Sequence, residues 1–375
     1  MKKLGVFGLV TAVTLSNFAA LHQHSGDTPD DRHAWAVHDP NRPLPVKVEP
    51  AAKCGGAPSD AIVLFDGTKA SFEKNWCDSK GQPSQWKVGD GFFYTVPGWK
   101  NGGAIFTRAE FGDCQLHIEF RHDPENIITN QGAQMRGNSG VFLMNNYEVQ
   151  ILDSYGSNPE KLEVPNYADG MAGSVYAENP PLVNPARKTG EWQTYDIVFH
   201  QPIWKGKKLL RPGSVTVFFN GVLVQDHWEM EGLTTWRKRR PLEPHKNVGP
   251  MMLQDHGCVV QFRNIWYRPI KSRWDNKTHS AMSADKVAVK ALRRETAAKL
   301  FTNITNPDAG DAKTVAALAE VISYANEGVY LKAFKKALAD FRKRTDVSKE
   351  DKDLVDCCIE ILVRNRVIPA ENVGQ

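Results

Sequence analysis

Between Ile62 and about Ile270, apolar and polar residues alternate in short runs broken by Gly, Pro or Asn. "GAIFTR", "CQLHIEFRH", "SGVFLM", "YEVQIL", "QTYDIVFH", "SVTVFFNGVLVQD" and "VVQFRNIWYRPI" are such alternating or apolar runs. A period of two places successive side chains on opposite faces of a strand. In "TVFFNGVLVQD" two runs are split by Asn220-Gly221, the pair that supplies the positive φ angles of a two-residue hairpin turn. Many short strands in succession, without an internal repeat, predict a mainly β region of two stacked antiparallel sheets over 60–271 rather than βαβ units.

From Ser283 the period becomes helical. "SADKVAVKALRRETAAKLFTNI" opens with Ser and Asp, a capping pattern, and repeats Val287, Ala291 and Leu292 near helical spacing. "DAKTVAALAEVISYA", "VYLKAFKKALADFRKR" and "SKEDKDLVDCCIEILVRN" follow, and Asn306-Pro307 and Asn326-Glu327-Gly328 separate the first three stretches. A small α-helical module over 283–372 is therefore expected, with no chemistry visible in it and a stabilising or protein-binding role. At the other end, two lysines, an apolar run to about Ala20 and a polar segment have the order of a signal peptide over 1–20. Residues 21–59, with "HDPNRPLPVKVEPAAKCGGAPSD", read as a poorly ordered Pro-rich linker. No second run resembles a membrane span, so the expectation is an exported, periplasmic or extracellular protein without a stable membrane span in its mature form.

Composition narrows the classes. The 375 residues are 41% hydrophobic and 24% charged, with 10 Trp, which is enough for a sizeable core. A net charge of +4 argues against a dedicated nucleic-acid binder, and "WRKRR" (Trp236 to Arg240) reads as a solvated loop. Cys54, Cys77, Cys114 and Cys258 allow up to two disulfides after export, with the pairing open. Cys357 and Cys358, adjacent on a helix, read as buried thiols.

The chemistry gathers at "YEVQILDSY" (Tyr147 to Tyr155). Tyr147, Val149 and Ile151 share one strand face, expected to lie between the sheets, and Glu148, Gln150 and Leu152 share the other, expected to look outward. A β-bulge after Gln150 would return Asp153 to the Glu148 face. The bland alternative is that Asp153 starts a turn and Glu148 is solvated. "MRGNSGVFL" adds Arg136 and Asn138 before a strand. "MMLQDHG" ends another with Gln254, Asp255 and His256, and His suits proton transfer near neutral pH. Trp99, Tyr147, Tyr155, Tyr176 and Trp192 are candidate rings for stacking on a ligand, with core packing favoured for Trp192.

"RGNSGVFL", "YEVQILDSY", "YADGMAGSVYAENPPLVNPARKTGEWQTYDIVF", "VTVFFNGVLVQD" and "GPMMLQDHGCVVQFRNIWYRPI" occur in one order. Together they resemble the 3-keto-disaccharide hydrolase family, a bacterial family with a concanavalin A-like jelly-roll sandwich. The opening "LFDGTKASFEKNW" departs from that family's Phe-Asn-Gly start with Asp66. The fold this implies also resembles laminarinase-type glycosidases, whose Glu-x-Asp-x-x-Glu strand motif is matched in spacing only: Gln150 and Asp153 replace its second and third acids. A retaining glycosidase needs two carboxyl groups about 5–5.5 Å apart, and Gln150 passes no proton.

The resemblance implies an enzyme that opens the glycosidic bond of a sugar oxidised at C3. A base removes the acidic C2 proton, the C1 substituent leaves, and water adds. Glu148 or His256 is the expected base, paired across neighbouring strands, with Asp153 orienting a partner. Arg136, Gln150 or a divalent ion held by a Glu/His/Asp set would stabilise the enolate, although no cofactor is certain. Asn138, Tyr147, Tyr176, Gln254 and Asp255 complete the expected contacts with an oligosaccharide or glycoside. The competing expectations are a lectin-like module without turnover and an orthodox endo-glycosidase.

Overall fold

The computed structural model describes residues 26–98, 103–126, 133–156, 167–270 and 286–370. They divide into two compact units, one made of 47–271 and the other of the chain before 47 together with the chain after 271.

The first unit contains β1 (Ile62–Phe65), α1 (Lys69–Asn75), β2 (Trp76–Cys77), β3 (Lys87–Val88), β4 (Phe93–Tyr94), β5 (Ile105–Phe111) and β6 (Cys114–His122). Next come β7 (Ser139–Leu143), β8 (Tyr147–Ile151), β9 (Gln193–His200), β10 (Ile203–Lys205), β11 (Lys208–Arg211) and β12 (Ser214–Phe219). The remainder is β13 (Val222–Glu229), β14 (Gly232–Leu233), β15 (Arg240–Pro241), β16 (Gly249–Leu253) and β17 (Val260–Pro269).

Two antiparallel sheets make a concanavalin A-like jelly-roll sandwich. An eight-stranded sheet runs β13-β12-β9-β6-β17-β4-β3, with β1 also on β17, and a five-stranded sheet runs β2-β5-β16-β7-β8. Alternation decides what lies between them. Leu116, Ile118 and Phe120 of β6, Tyr195, Ile197 and Phe199 of β9, and Val141, Val149 and Leu253 of the smaller sheet are all fully buried in one core. At one end Phe93 is ringed by Phe65, Phe72, Trp76, Trp86 and Phe262, with ring centroids 4.8–5.9 Å away. The expected hairpin joins β12 to β13, with Asn220 at φ 50° and Gly221 at φ 80°.

The second unit has four helices, α2 (Lys286–Thr302), α3 (Ala312–Tyr324), α4 (Gly328–Arg342) and α5 (Lys349–Arg364). Asp311 caps α3 by accepting from the Thr314 N–H, and Ser348 caps α5 by accepting from that of Asp351. The Ser283 and Asp285 cap expected for the first helix lies outside the described residues.

Three expectations need correction. Residues 26–59 do not form a loose linker. Trp35, 6% exposed, packs with Ala34 on Val289, Ala297, Val321 and Tyr324, and Asn41 donates to Glu320 Oε1 at 2.7 Å. Further on, the Gly55 carbonyl accepts from Trp266 Nε1 and Asn264 Nδ2 (2.9 and 2.8 Å) on the sandwich. The apolar anchors that order this stretch are single residues, too sparse to show a period. All six cysteines are free thiols: Cys114 is sealed in the core, while Cys77 and Cys258 face the main-chain oxygens of Phe106 and Met135. Trp192 is half-buried, not core. It sits between the guanidinium groups of Arg121 (4.8 Å) and Arg263 (4.0 Å), because the inward phase of β9 falls on Gln193, Tyr195, Ile197 and Phe199.

Among the described residues no helix is long and apolar enough to cross a membrane. "WRKRR" is exposed, as a solvated loop should be.

Candidate active site

The five-stranded sheet has an inner face in the core and an outer face. In the β7–β8 register, Phe142 lies opposite Glu148 and Gly140 opposite Gln150. Phe142 also pairs with Met252 of β16, which pairs with Phe106 of β5, which pairs with Cys77 of β2. Residues paired across strands share a face. Glu148, Gln150, Phe142, Gly140, Met252 and Phe106 therefore all stand on the outer face, opposite Val149, Val141 and Leu253.

Glu148 is nevertheless only 3% exposed and Gln150 only 1%. Residues 173–176 lie along the free edge of β8 and cover them. The N–H of Gln150 donates to Ser174 O (3.0 Å), that of Gly173 to Gln150 O (3.0 Å), and that of Tyr176 to Glu148 O (3.1 Å). The Glu148 N–H is taken by Thr234 Oγ1 at 2.9 Å. The Glu148 carboxyl leans over Gly140, where a Cβ would come within 2.3 Å of Oε1. Glycine is required there for space. With the Gln150 amide turned so that its NH2 meets acceptors, it donates to Glu148 Oε1 (3.0 Å) and to Ser139 O (2.9 Å).

Burial alone pushes Glu148 up to about 8, with no neighbouring charge contributing. Half-buried Tyr176 stands beside it. Its phenol is pushed upward by burial first, then by its hydrogen bond with the Tyr167 hydroxyl (3.1 Å) and by nearby negative groups that include Glu148.

Asp153 belongs to a separate cluster. The β7–β8 register runs without a shift, so the expected bulge after Gln150 is not formed. The strand ends at Ile151, and Asp153 accepts from Arg136 Nη2 (2.7 Å) and Thr189 Oγ1 (2.8 Å). Beside this ion pair lies His122, which sequence reasoning missed. Burial holds its imidazole down at about 4, against the pull of Asp153 and a hydrogen bond to the Leu152 main chain. Its signal was present in "CQLHIEFRH", where His122 takes the inward phase of Leu116, Ile118 and Phe120. A Cβ on Gly137 would meet His122 Nδ1 at 2.2 Å.

The other expected residues scatter. β7 separates β8 from β16, so Glu148 and His256 are not on neighbouring strands. Burial lowers the His256 pKa, which keeps the ring neutral near pH 7. Asp255 accepts from the Gly257 N–H at 2.9 Å and shapes its own turn. Gln254 reaches the sheet through its N–H to Gly140 O (3.1 Å), while its buried side-chain oxygen finds no partner among the described residues.

Asn138 donates to Gln134 O (2.7 Å) and is buried, so it braces the loop before β7. Tyr147 is in the core with its hydroxyl 2.6 Å from His245 Nε2, so its ring cannot stack on a sugar. Tyr155 is half-exposed, and Trp99 lies outside the described residues. The expected Glu/His/Asp metal set does not converge. Asp153 is committed to Arg136 and Thr189, and no group of three His, Cys, Asp or Glu side chains is gathered among the described residues.

The family model of the 3-keto-alpha-glucoside-1,2-lyase-like domain matches residues 60–268. The chain belongs to this family. It is a carbohydrate-active enzyme, and its lyase-like domain coincides with the sandwich. A crystal structure from Parabacteroides distasonis, assigned as a glycosyl hydrolase, is 41% identical, with a TM-score of 0.54 over 61% of this chain and 93% of that one. A second such structure from that organism is 18% identical, with a TM-score of 0.43 over 60% and 100%. Alginate lyase Aly36B, solved as a mutant with an alginate tetrasaccharide, is 12% identical, with a TM-score of 0.34 over 56% and 93%. No curated protein matches the sequence.

Proposed function

We propose that the lyase-like domain cleaves the glycosidic bond of 3-keto-glycosides by elimination and hydration, with Glu148 as the base. The observation that carries this reading is the Glu148 carboxyl, buried over Gly140 with no ion-pair partner among the described residues. Its raised pKa suits removal of the C2 proton, which the adjacent C3 ketone acidifies. The electron pair left at C2 is delocalised onto the ketone oxygen as an enolate. It then returns to expel the C1 substituent, whose oxygen takes a proton, for which the Tyr176 hydroxyl is the candidate donor. Water adding at C1, with a proton returning to C2, completes hydrolysis. Gln150, whose amide meets Glu148 Oε1, orients the base.

The orthodox double displacement is disfavoured by the same geometry. It needs a second carboxyl about 5–5.5 Å from the first. Gln150 stands next to Glu148, and Asp153 is turned to Arg136. Export is part of this proposal and is supported by the order of residues 1–20.

The test is turnover of a 3-keto-glucoside beside the unoxidised glucoside. Cleavage of the oxidised sugar alone is expected, falling about 10²–10⁴-fold in Glu148→Gln. Binding of both without cleavage of either would instead mean a lectin-like module, and cleavage of the unoxidised sugar an ordinary glycosidase.

A further inference from the structure

The outer face carries a feature that the elimination chemistry does not use. From Glu148 a single cross-strand row runs over the sheet: Phe142, then Met252, then Phe106, then Cys77. Adjacent strands are about 4.8 Å apart, so the row spans roughly 19 Å. Phe142, Met252 and Phe106 are half-buried, lie outside the hydrophobic core and offer an apolar strip about three side chains long. The strip ends at an open pocket of ≈ 450 Å³, whose lining includes Phe106, Asp78, Arg108, Glu110 and Asn145.

We infer that this row is the leaving-group subsite and that the natural substrates are 3-keto-glucosides of aromatic alcohols. The inference rests on Glu148 being the base. Residues 173–176 close the β8 side of Glu148 by main-chain hydrogen bonds, so a substituent extending from the sugar is directed over β7 and β16. Along that path the three side chains offer no strong hydrogen-bond donor or acceptor. An aromatic ring laid there covers the apolar side chains with its whole face, whereas a second sugar offers them only the C–H groups of one ring face and gains less from burial. Polar groups return at both ends. Gln150 and Gln254 flank the sugar end, and Asp78 and Arg108 stand at the far pocket, where the hydroxyl groups of a phenolic ring system would be met.

The experiment compares naphthyl and methyl 3-keto-glucosides, in turnover and in calorimetric binding, on the full chain and on Phe106→Ala and Met252→Ser. Both variants alter half-buried side chains, and melting temperature checks their folding. The naphthyl compound is expected to bind and turn over about tenfold better or more on the native chain. Each variant should erase most of that preference while leaving the methyl compound within about twofold. Equal binding of the two compounds by the native chain overturns the subsite, even if both are cleaved. Equal losses for both compounds in the variants overturn it as well, because the row would then hold the sugar itself. If neither compound is cleaved but the naphthyl preference in binding is present and lost in the variants, the subsite stands and the elimination reading fails.

Discussion

Glu148 sets the behaviour of the site through the absence of compensation. A carboxyl kept from water and from cations prefers its proton, here up to about pH 8. As a base it works only after losing that proton, so kcat/KM should rise with pH and level off above about 8, and Glu148→Gln should abolish this rise. Stability follows with the opposite sign. The folded state binds the Glu148 proton more tightly than the unfolded chain, where the ordinary value is near 4.5. Stability is therefore lost as pH rises from about 4.5 to about 8. Glu148→Gln should raise the melting temperature at pH 8.5, by a gain of a few kcal/mol, and change little at pH 4. Gly140→Ala is the complementary test. A Cβ within 2.3 Å of Oε1 must push the carboxyl aside without removing it, and a misplaced base is expected to cost about 10²-fold in rate while the fold survives. Glu148 was legible from alternation and spacing. Its burial was not, since the residues that cover it, 173–176, follow more than twenty positions later.

At the scale of elements, the site depends on how non-adjacent segments lie on strands. The 173–176 segment adds to the edge of β8, and the stretch around Gly55 is pinned to the back of the larger sheet. The pinning centres on His117, which is 1% exposed, 2.7 Å from Asp196 Oδ1, and stacked on Trp266 with ring centroids 5.2 Å apart. Asn264 Nδ2 donates to the Gly55 carbonyl and to Glu119 Oε1 (2.8 Å each), and that carboxyl oxygen lies 3.6 Å from His117 Nε2. Burial opposes the His117 cation, but Asp196 and Glu119 outweigh it and push the ring up to about 9. The folded value lies above the unfolded 6.5, so this stabilisation is complete below about pH 6.5 and lost as pH passes 9. His117→Gln should cost about 2–4 kcal/mol at pH 6 and much less at pH 10, read from denaturant midpoints. No sequence period marks this cluster. Its members come from β6, β9 and β17, brought together by register.

For the molecule as a whole, two units carry separate cores. The helical unit is completed by a segment from the other end of the chain, with Trp35 packed on Val289, Ala297 and Val321. Trp35→Ala is expected to lower the unfolding transition of the helical unit by about 3–5 kcal/mol and to leave that of the sandwich in place, seen as two calorimetric peaks of which one moves. A single peak that shifts as one would show that the units unfold together.

The sequence by itself determined the sandwich, the hairpin at Asn220-Gly221, the four helices and the face on which Glu148 stands. These follow from local periodicity and turn chemistry, which depend on neighbours along the chain. Only the tertiary structure decided which side chains meet. It put β7 between Glu148 and His256, turned Asp153 to Arg136, set buried His122 beside that pair and aligned Phe142, Met252 and Phe106 into one row. Strand order and register set those distances, and both are fixed by how the two sheets pack as a whole, which no short window of residues contains.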